Sequence, residues 1–240
     1  MGLSKKQICH AALVDRILTL DIAPGSMLDE ILLCKEYELS RTPLREVLQK
    51  LGGEGYVQLE ENRGAKVSSM DLENMRQFFQ SAPMIYSAVT RLAAENASVP
   101  EVEALKSVQL KFKSAAESAD ARAMVIENHR FHSLIGEMAR NPYLSPSLNR
   151  LLIDHTRMSQ KFYRPIDDHG LEMVRTASDQ HDQMIEAIEK REPVSAVELT
   201  LDHWELSRNQ VERFVMPDPL PMQLGDLESG RIFEDRKHAV

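Results

Sequence analysis

Apolar positions recur at a helical period along most of the chain, with one short interruption of strand character. Ile8, Leu13, Ile17 and Leu20 mark a first helix over Ile8–Leu20, closed by the turn Ala23-Pro-Gly25, and Leu28 to Tyr37 reads as a second. Leu44, Val47, Leu48 and Leu51 fall at i, i+3, i+4 and i+7, which gives a third helix an inward face. Tyr56-Val-Gln-Leu59 and Ala65-Lys-Val-Ser68 then form two β-prone runs joined by Glu60 to Gly64, a hairpin. Beyond Met70 the pattern becomes long helices, over Asp71–Ala97, Pro100–Ala119, Ala121–Arg140, Pro142–Arg164, Leu171–Arg191 and Pro193–Val215. Breaks are visible at Ser98-Val-Pro100, Asn141-Pro142, Pro165 to Gly170 and Glu192-Pro193. The pattern predicts a mainly α protein: a winged helix-turn-helix over 1–70 and an all-α six-helix bundle over 71–215. Residues 216–240, with Pro217, Pro219 and Pro221 and no periodicity, read as a loosely ordered tail.

The third helix is the most explicit stretch. Ser40 is a good N-cap residue, Pro43 falls in the first turn where its missing N–H does no harm, and Glu46 suits the dipole there. Arg41, Arg45 and Gln49 lie four apart on a face away from the apolar one, and the Gly52-Gly53 pair is expected to end the helix. Arg and Gln can make bidentate bonds to base edges, so a short helix presenting them suits the major groove. A solvated amphipathic helix would show the same spacing; the flanking helices and hairpin favour DNA. Arg63-Gly64 at the hairpin tip places a cation and bare backbone where a wing meets the minor groove or phosphates.

A chain of 240 residues allows one or two domains with real cores. The N-terminus has no apolar signal core and no run is long enough for a membrane span, so a soluble, cytoplasmic protein is expected, with Cys9 and Cys34 as reduced thiols. Charge qualifies the DNA reading. Residues 1–70 carry nine basic against ten acidic side chains, and the remainder carries 20 against 27. The local field counts, however, and Lys35, Arg41, Arg45, Lys50, Arg63 and Lys66 all belong to the helix-turn-helix and wing. Binding should be salt-sensitive and modest per monomer, and a homodimer makes up the affinity.

Histidines in the bundle fall on apolar faces. Asn128 and His132 are i, i+4 and share a face with Val125, Phe131 and Ile135. His181 heads a stripe with Met184, Ile185 and Ile188, and His203 lies in line with Ala196, Leu199 and Leu206. His155 shares a face with Leu148, Leu152 and Phe162. Each could be a core histidine satisfied by a hydrogen bond. Converging from separate helices, neutral imidazoles and an oxygen make a divalent transition-metal site.

Pro24-Gly25, the run Ser40-Arg-Thr-Pro-Leu-Arg-Glu-Val-Leu, Glu54-Gly-Tyr-Val57 and Asn62-Arg-Gly64 resemble the N-terminal domain of the GntR family of bacterial transcriptional regulators. Phe131-His132, Asn141-Pro142, His181 and His203 resemble the FCD ligand-binding domain of its FadR subfamily, and the six-helix count fits the VanR-like branch. The resemblance implies that Arg41 and Arg45 read bases or phosphates of double-stranded operator DNA, supported by Ser40 and Thr42, with Arg63-Gly64 on the wing. It also implies a homodimeric repressor answering to a small organic acid, and a metal held by His132, His181 and His203, zinc first with nickel or manganese as alternatives. Three departures bear on this. Ile31 stands where the family often has a DNA-contacting arginine, Asn128 replaces the metal-binding aspartate, and Ala82 and Tyr86 stand at the usual arginine and glutamate positions of the effector site. Tyr86, His155 and Arg157 are therefore the candidate effector-binding residues, with Arg130 and Arg175 as further cations. A metal-dependent hydrolase would want an acid/base partner such as His-Glu-x-x-His, which the chain lacks; an effectorless dimerising DNA-binding protein would use the histidines structurally.

Overall fold

The computed structural model describes residues 2–61 and 63–215, side chains at 207 and 209–215 excepted, so the tail expected at 216–240 lies outside the described residues. Helix α1 (Lys5–Leu18) opens on a capping box in which Ser4 and Gln7 satisfy each other's backbone N–H groups. Helix α2 (Glu30–Glu36) is capped by Asp29, and α3 (Arg41–Glu54) follows after a short turn. Strands β1 (Val57–Glu60) and β2 (Gly64–Val67) pair antiparallel from Val57↔Val67 to Glu60↔Gly64, and Met27 bridges to Lys66. Leu13, Ile17, Leu44, Leu51, Ala65 and Val67 are all fully buried between these elements, so the stripes seen in the sequence meet in one core.

The end of α3 differs from expectation. The helix runs through Gly52-Gly53 to Glu54 and stops at Gly55, whose φ of 89° is left-handed. The N–H groups of Gly55 and Tyr56 bond back to Gly52 O and Leu51 O, closing the last turn. Glycines in a helix weaken it but do not turn it; the residue that must leave right-handed space does. Ser40 caps α3 by position only, since its side chain makes no capping bond.

Helices α4 (Leu72–Asn96), α5 (Val99–Glu117), α6 (Ala121–Met138), α7 (Ser145–Phe162), α8 (Asp168–Glu189) and α9 (Pro193–Val215) form the bundle. Its core includes Phe78, Tyr86, Leu105, Phe131, Met184 and Trp204, continued by Phe112, Tyr163 and Val174 at one side. Pro83 is accommodated inside α4. No helix among the described residues is long and apolar enough to cross a membrane.

Helix α7 joins this bundle to the winged helix. Arg157, fully buried, pairs with Asp154 and donates to Ser68 O at 2.6 Å, just after β2. Gln160 Nε2 donates to Leu18 O at 3.1 Å, the last residue of α1. Arg122, at the start of α6, bonds Asp15 and Asp21 nearby.

The two kinds of glycine in α3 should respond oppositely to an added methyl. Gly55→Ala forces a left-handed alanine and brings its Cβ to 2.8 Å from Arg150 Cδ, so urea unfolding should show a loss of about 1–2 kcal/mol. Gly53→Ala meets nothing within 4 Å and should be neutral or stabilising by about 0.5 kcal/mol.

Candidate DNA interface and metal centre

The N-terminal half of α3 faces solvent with the polar residues predicted for it. Ser40, Arg41, Thr42, Arg45 and Gln49 are not buried, while Leu44, Val47, Leu48 and Leu51 on the other face are. Arg45 and Gln49 line a cleft of about 670 Å³ between α3, the start of α2 and the wing, which Arg63 and Gly64 close on the far side. Arg45 Nε lies 3.6 Å from Glu30 Oε2, and Arg63 Nη1 lies 4.0 Å from Glu60 Oε2. Both pairs are loose and exposed enough to exchange for DNA at little cost. Gly64 takes φ 90°, and a Cβ there would stand 3.3 Å from Glu30 Oε1, so the wing tip comes close to α2.

The three histidines predicted as ligands do converge. His132 on α6, His181 on α8 and His203 on α9 are buried, and they offer ring nitrogens within 4.8 Å of one another. The tautomers of His181 and His203 are set by two glutamines that the sequence pattern did not single out. Gln109 on α5 donates its amide to Ser178 O at 2.9 Å, which turns Oε1 toward His181 Nδ1 at 3.0 Å. Gln180 Oε1 likewise accepts from His203 Nδ1 at 3.0 Å. With Nδ1 protonated in both rings, the lone pairs sit on Nε2. His132 Nε2, His181 Nε2 and Asn128 Oδ1 are buried without any hydrogen-bond partner. Buried polar atoms are almost always satisfied. Open imidazole nitrogens in a converging cluster, with an open amide oxygen one helical turn before His132, suit a divalent transition ion. Gln180 could have been suspected from its place beside His181; Gln109 sits on an otherwise ordinary amphipathic helix and carried no signal.

Burial also fixes protonation. His132 and His181 are held well below the ordinary imidazole range, first by burial and then by neighbouring histidines. Burial alone pushes His203 down to about 4, and burial with the other histidines pushes His155 to about 3. All four rings are therefore neutral at pH 7 and available as ligands or hydrogen-bond partners.

Of the candidate effector residues, two come together and one does not. Tyr86 Oη and His155 Nδ1 are 3.0 Å apart, and the His155 ring centroid is 5.2 Å from that of His132, so the pair adjoins the histidine cluster. Burial keeps Tyr86 a neutral phenol. Arg157 turns away, to Asp154 and Ser68, because residues two apart on a helix point about 200° apart. With His155 facing the cluster, Arg157 must face the winged helix. Arg130 is taken up by Glu127 at 2.6 Å, and Arg175 is exposed beside Glu172 at 3.7 Å, so neither of these cations reaches the cluster.

A winged helix carrying arginines on its recognition face, followed by a helical bundle with a buried histidine cluster, defines a two-part transcriptional regulator. Residues 6–67 match the model of the bacterial regulatory proteins of the gntR family, and residues 80–206 match that of the FCD domain. The chain belongs to the GntR family, in the group that carries an FCD domain. It is similar to the HTH-type regulator YdhC of Bacillus subtilis, 21% identical over 182 residues, covering 75% of this chain and 79% of that one. LutR of the same organism is 23% identical over 162 residues, covering 60% and 73%. Among solved structures, Escherichia coli McbR/YncC superposes with a TM-score of 0.70 at 17% identity, covering 88% of this chain and all of that one. A putative GntR regulator from Rhodococcus gives 0.65 at 17% identity, covering 87% and 98%. These relatives and folds are transcriptional regulators rather than enzymes, which removes the hydrolase alternative.

The lowered histidine pKa values predict an acid-sensitive fold. The unfolded chain takes up these protons near the ordinary value of 6.5, whereas His203 and His129, a further α6 histidine whose Nδ1 lies 2.7 Å from Thr156 Oγ1, wait until about 4 and His155 until about 3. Stability is therefore complete above pH 6.5 and falls as the pH drops below it. Each of the three contributes up to about 1.4 kcal/mol per pH unit down to its folded pKa. Urea midpoints of chelator-treated protein should be level between pH 7 and 8 and decline steadily from 6.5 to 4.5.

Proposed function

We propose that the protein is a homodimeric repressor that binds operator DNA through its winged helices and is released by a small organic acid bound beside a divalent transition metal, zinc first, in the helical domain. Residues 1–70 serve as the DNA-binding unit and 71–215 as the sensing and dimerising unit. The observation that carries the sensing half is the set of orphaned atoms: His132 Nε2, His181 Nε2 and Asn128 Oδ1, buried with nothing to bond. His132, His181 and His203 would hold the ion, with Asn128 as the fourth protein donor, and the ion would supply a Lewis-acidic position for a carboxylate oxygen.

The donor set favours an anionic effector. Three imidazoles and a carboxamide carry no charge, so the full double charge of an ion would stand in a buried site, where a carboxylate ligand is strongly favoured. The same neutrality weakens the ion's own binding relative to an aspartate. Tyr86 and His155 adjoin the cluster on the side of α7 and are placed to bond the rest of an effector. Helix α7 then carries the response, since Asp154, Arg157 and Gln160 on its far face hold the winged helix. A dimer presents two winged helices to an operator with approximate two-fold symmetry, and moving α7 changes their spacing. The effector's influence is bounded by its differential affinity for the two arrangements.

Metal analysis of untagged, chelator-free protein tests the sensing half. About one equivalent per chain is expected for the wild type and none for the His132→Ala, His181→Ala double variant. Asn128→Asp should tighten metal binding about tenfold or more, because it adds a charge to the donor set. No metal in either the wild type or Asn128→Asp, with folding intact, would overturn this half.

For the DNA half, the probe is a duplex that the wild type enriches from a randomised pool. Arg41→Ala and Arg45→Ala should each cost about 1–3 kcal/mol of its affinity, about 5- to 150-fold, without altering thermal stability. Unchanged binding in both would refute the assignment of α3 as the reading helix.

A further inference from the structure

One side chain in the cleft beside α3 has no role in a purely arginine-based reading. Ile31, in the first turn of α2, is 69% exposed and lines the same cleft as Arg45, Gln49, Arg63 and Gly64. A lone exposed isoleucine is ordinary on a protein surface. One that stands among side chains poised for base edges will be covered when DNA enters.

The neighbours of Ile31 narrow what covers it. Asp29 Oδ1 accepts from the backbone N–H groups of Ile31 and Leu32 at 2.8 and 3.0 Å, so these donors at the start of α2 are already used and are not open to a phosphate. Glu30 and Glu60 also line the cleft. Carboxylates there repel the sugar-phosphate backbone, whereas base edges carry donors that carboxylates accept. Glu30 Oε2, 3.6 Å from Arg45 Nε, places the residue next to Ile31 beside an arginine of the recognition face. Leu59, the other exposed apolar residue of the cleft, lies against Gly52 near the C-terminal end of α3, away from the half that enters the groove. The apolar feature that bases present in the major groove is the thymine 5-methyl group.

We infer that Ile31 recognises a thymine 5-methyl group in each half-site, beside the base pair read by Arg45. The inference rests on the DNA-binding reading above and adds a residue that sets sequence specificity through an apolar contact.

The test uses the full-length protein and a duplex enriched from a randomised pool by the wild type, with each thymine replaced in turn by deoxyuridine. Removing the responsible methyl should weaken wild-type binding about fourfold per half-site, the worth of one buried methyl group. Ile31→Ala should bind the thymine and uracil duplexes equally, while Leu59→Ala should keep the wild-type discrimination. The side chain of Ile31 is largely exposed, so the variant keeps its fold, which circular dichroism checks. Equal wild-type affinity for every uracil duplex, or discrimination that survives in Ile31→Ala, would overturn the inference while leaving DNA binding intact. Failure of the wild type to enrich any duplex would sink the DNA-binding reading and this inference with it.

Discussion

Helix α7 carries polar groups on two opposite faces, both buried, and the placement of both halves of the molecule depends on it. Toward the bundle it presents His155, bonded to Tyr86 and next to His132. Toward the winged helix it presents the Arg157–Asp154 pair and Gln160, which end on backbone carbonyls of Ser68 and Leu18. Burying a guanidinium is costly unless it is paired and its donors used. Asp154 and the Ser68 carbonyl meet much of that requirement, which makes the seating of the winged helix specific. A rotation of α7 that improved one face would disturb the other.

The two faces differ in how well they are satisfied. On the junction face, the charges pair and the carbonyls accept. In the bundle, the histidine cluster retains open buried acceptors that no protein group fills. An unsatisfied buried acceptor costs about 1–3 kcal/mol, so the cluster gains from anything that supplies an electrophile, whereas the junction leaves open a donor, Arg157 Nε, and no acceptor. The glutamines Gln109 and Gln180 sharpen this asymmetry, because they hold Nδ1 protonated and so leave His181 and His203 with inward lone pairs on Nε2.

Periodicity made the order and type of the elements legible, with helix ends such as those of α1, α7 and α8 displaced by two or three residues, since each apolar stripe had one core to enter. The recognition face was equally plain: Arg41, Arg45 and Gln49 share a face that Leu44 and Leu48 leave free. The stop of α3 was misplaced because two adjacent glycines look like a terminator, whereas termination depends on which residue adopts positive φ, a property of the chain's path rather than its composition. For the site, helical faces showed where His132, His155, His181 and His203 point, but not which helices are neighbours, so the supporting glutamines stayed hidden. Arg157, expected as a substitute cation for the effector site, lies on the opposite side of α7 from His155, because two residues on a helix turn it about 200° away.

The placement of the donors limits what can act as the signal. An ion bonded only to α6, α8 and α9 would reach the winged helix only through the exposed Arg122 contacts of α6 with Asp15 and Asp21, and a ligand with equal affinity for two arrangements shifts nothing. Response to a small molecule requires contact with an element that differs between arrangements. Among the elements around the cluster, α7 is the one that also holds the winged helix through buried bonds at Ser68 and Leu18. An effector that reached the cluster but left the Tyr86–His155 contact untouched would occupy the site silently. One that replaced Tyr86 as the partner of His155 would move the helix that positions Arg157, and through it the recognition face. On the proposed function, the distinction between a structural ligand and a signal would fall on His155, a residue that need not bind metal at all.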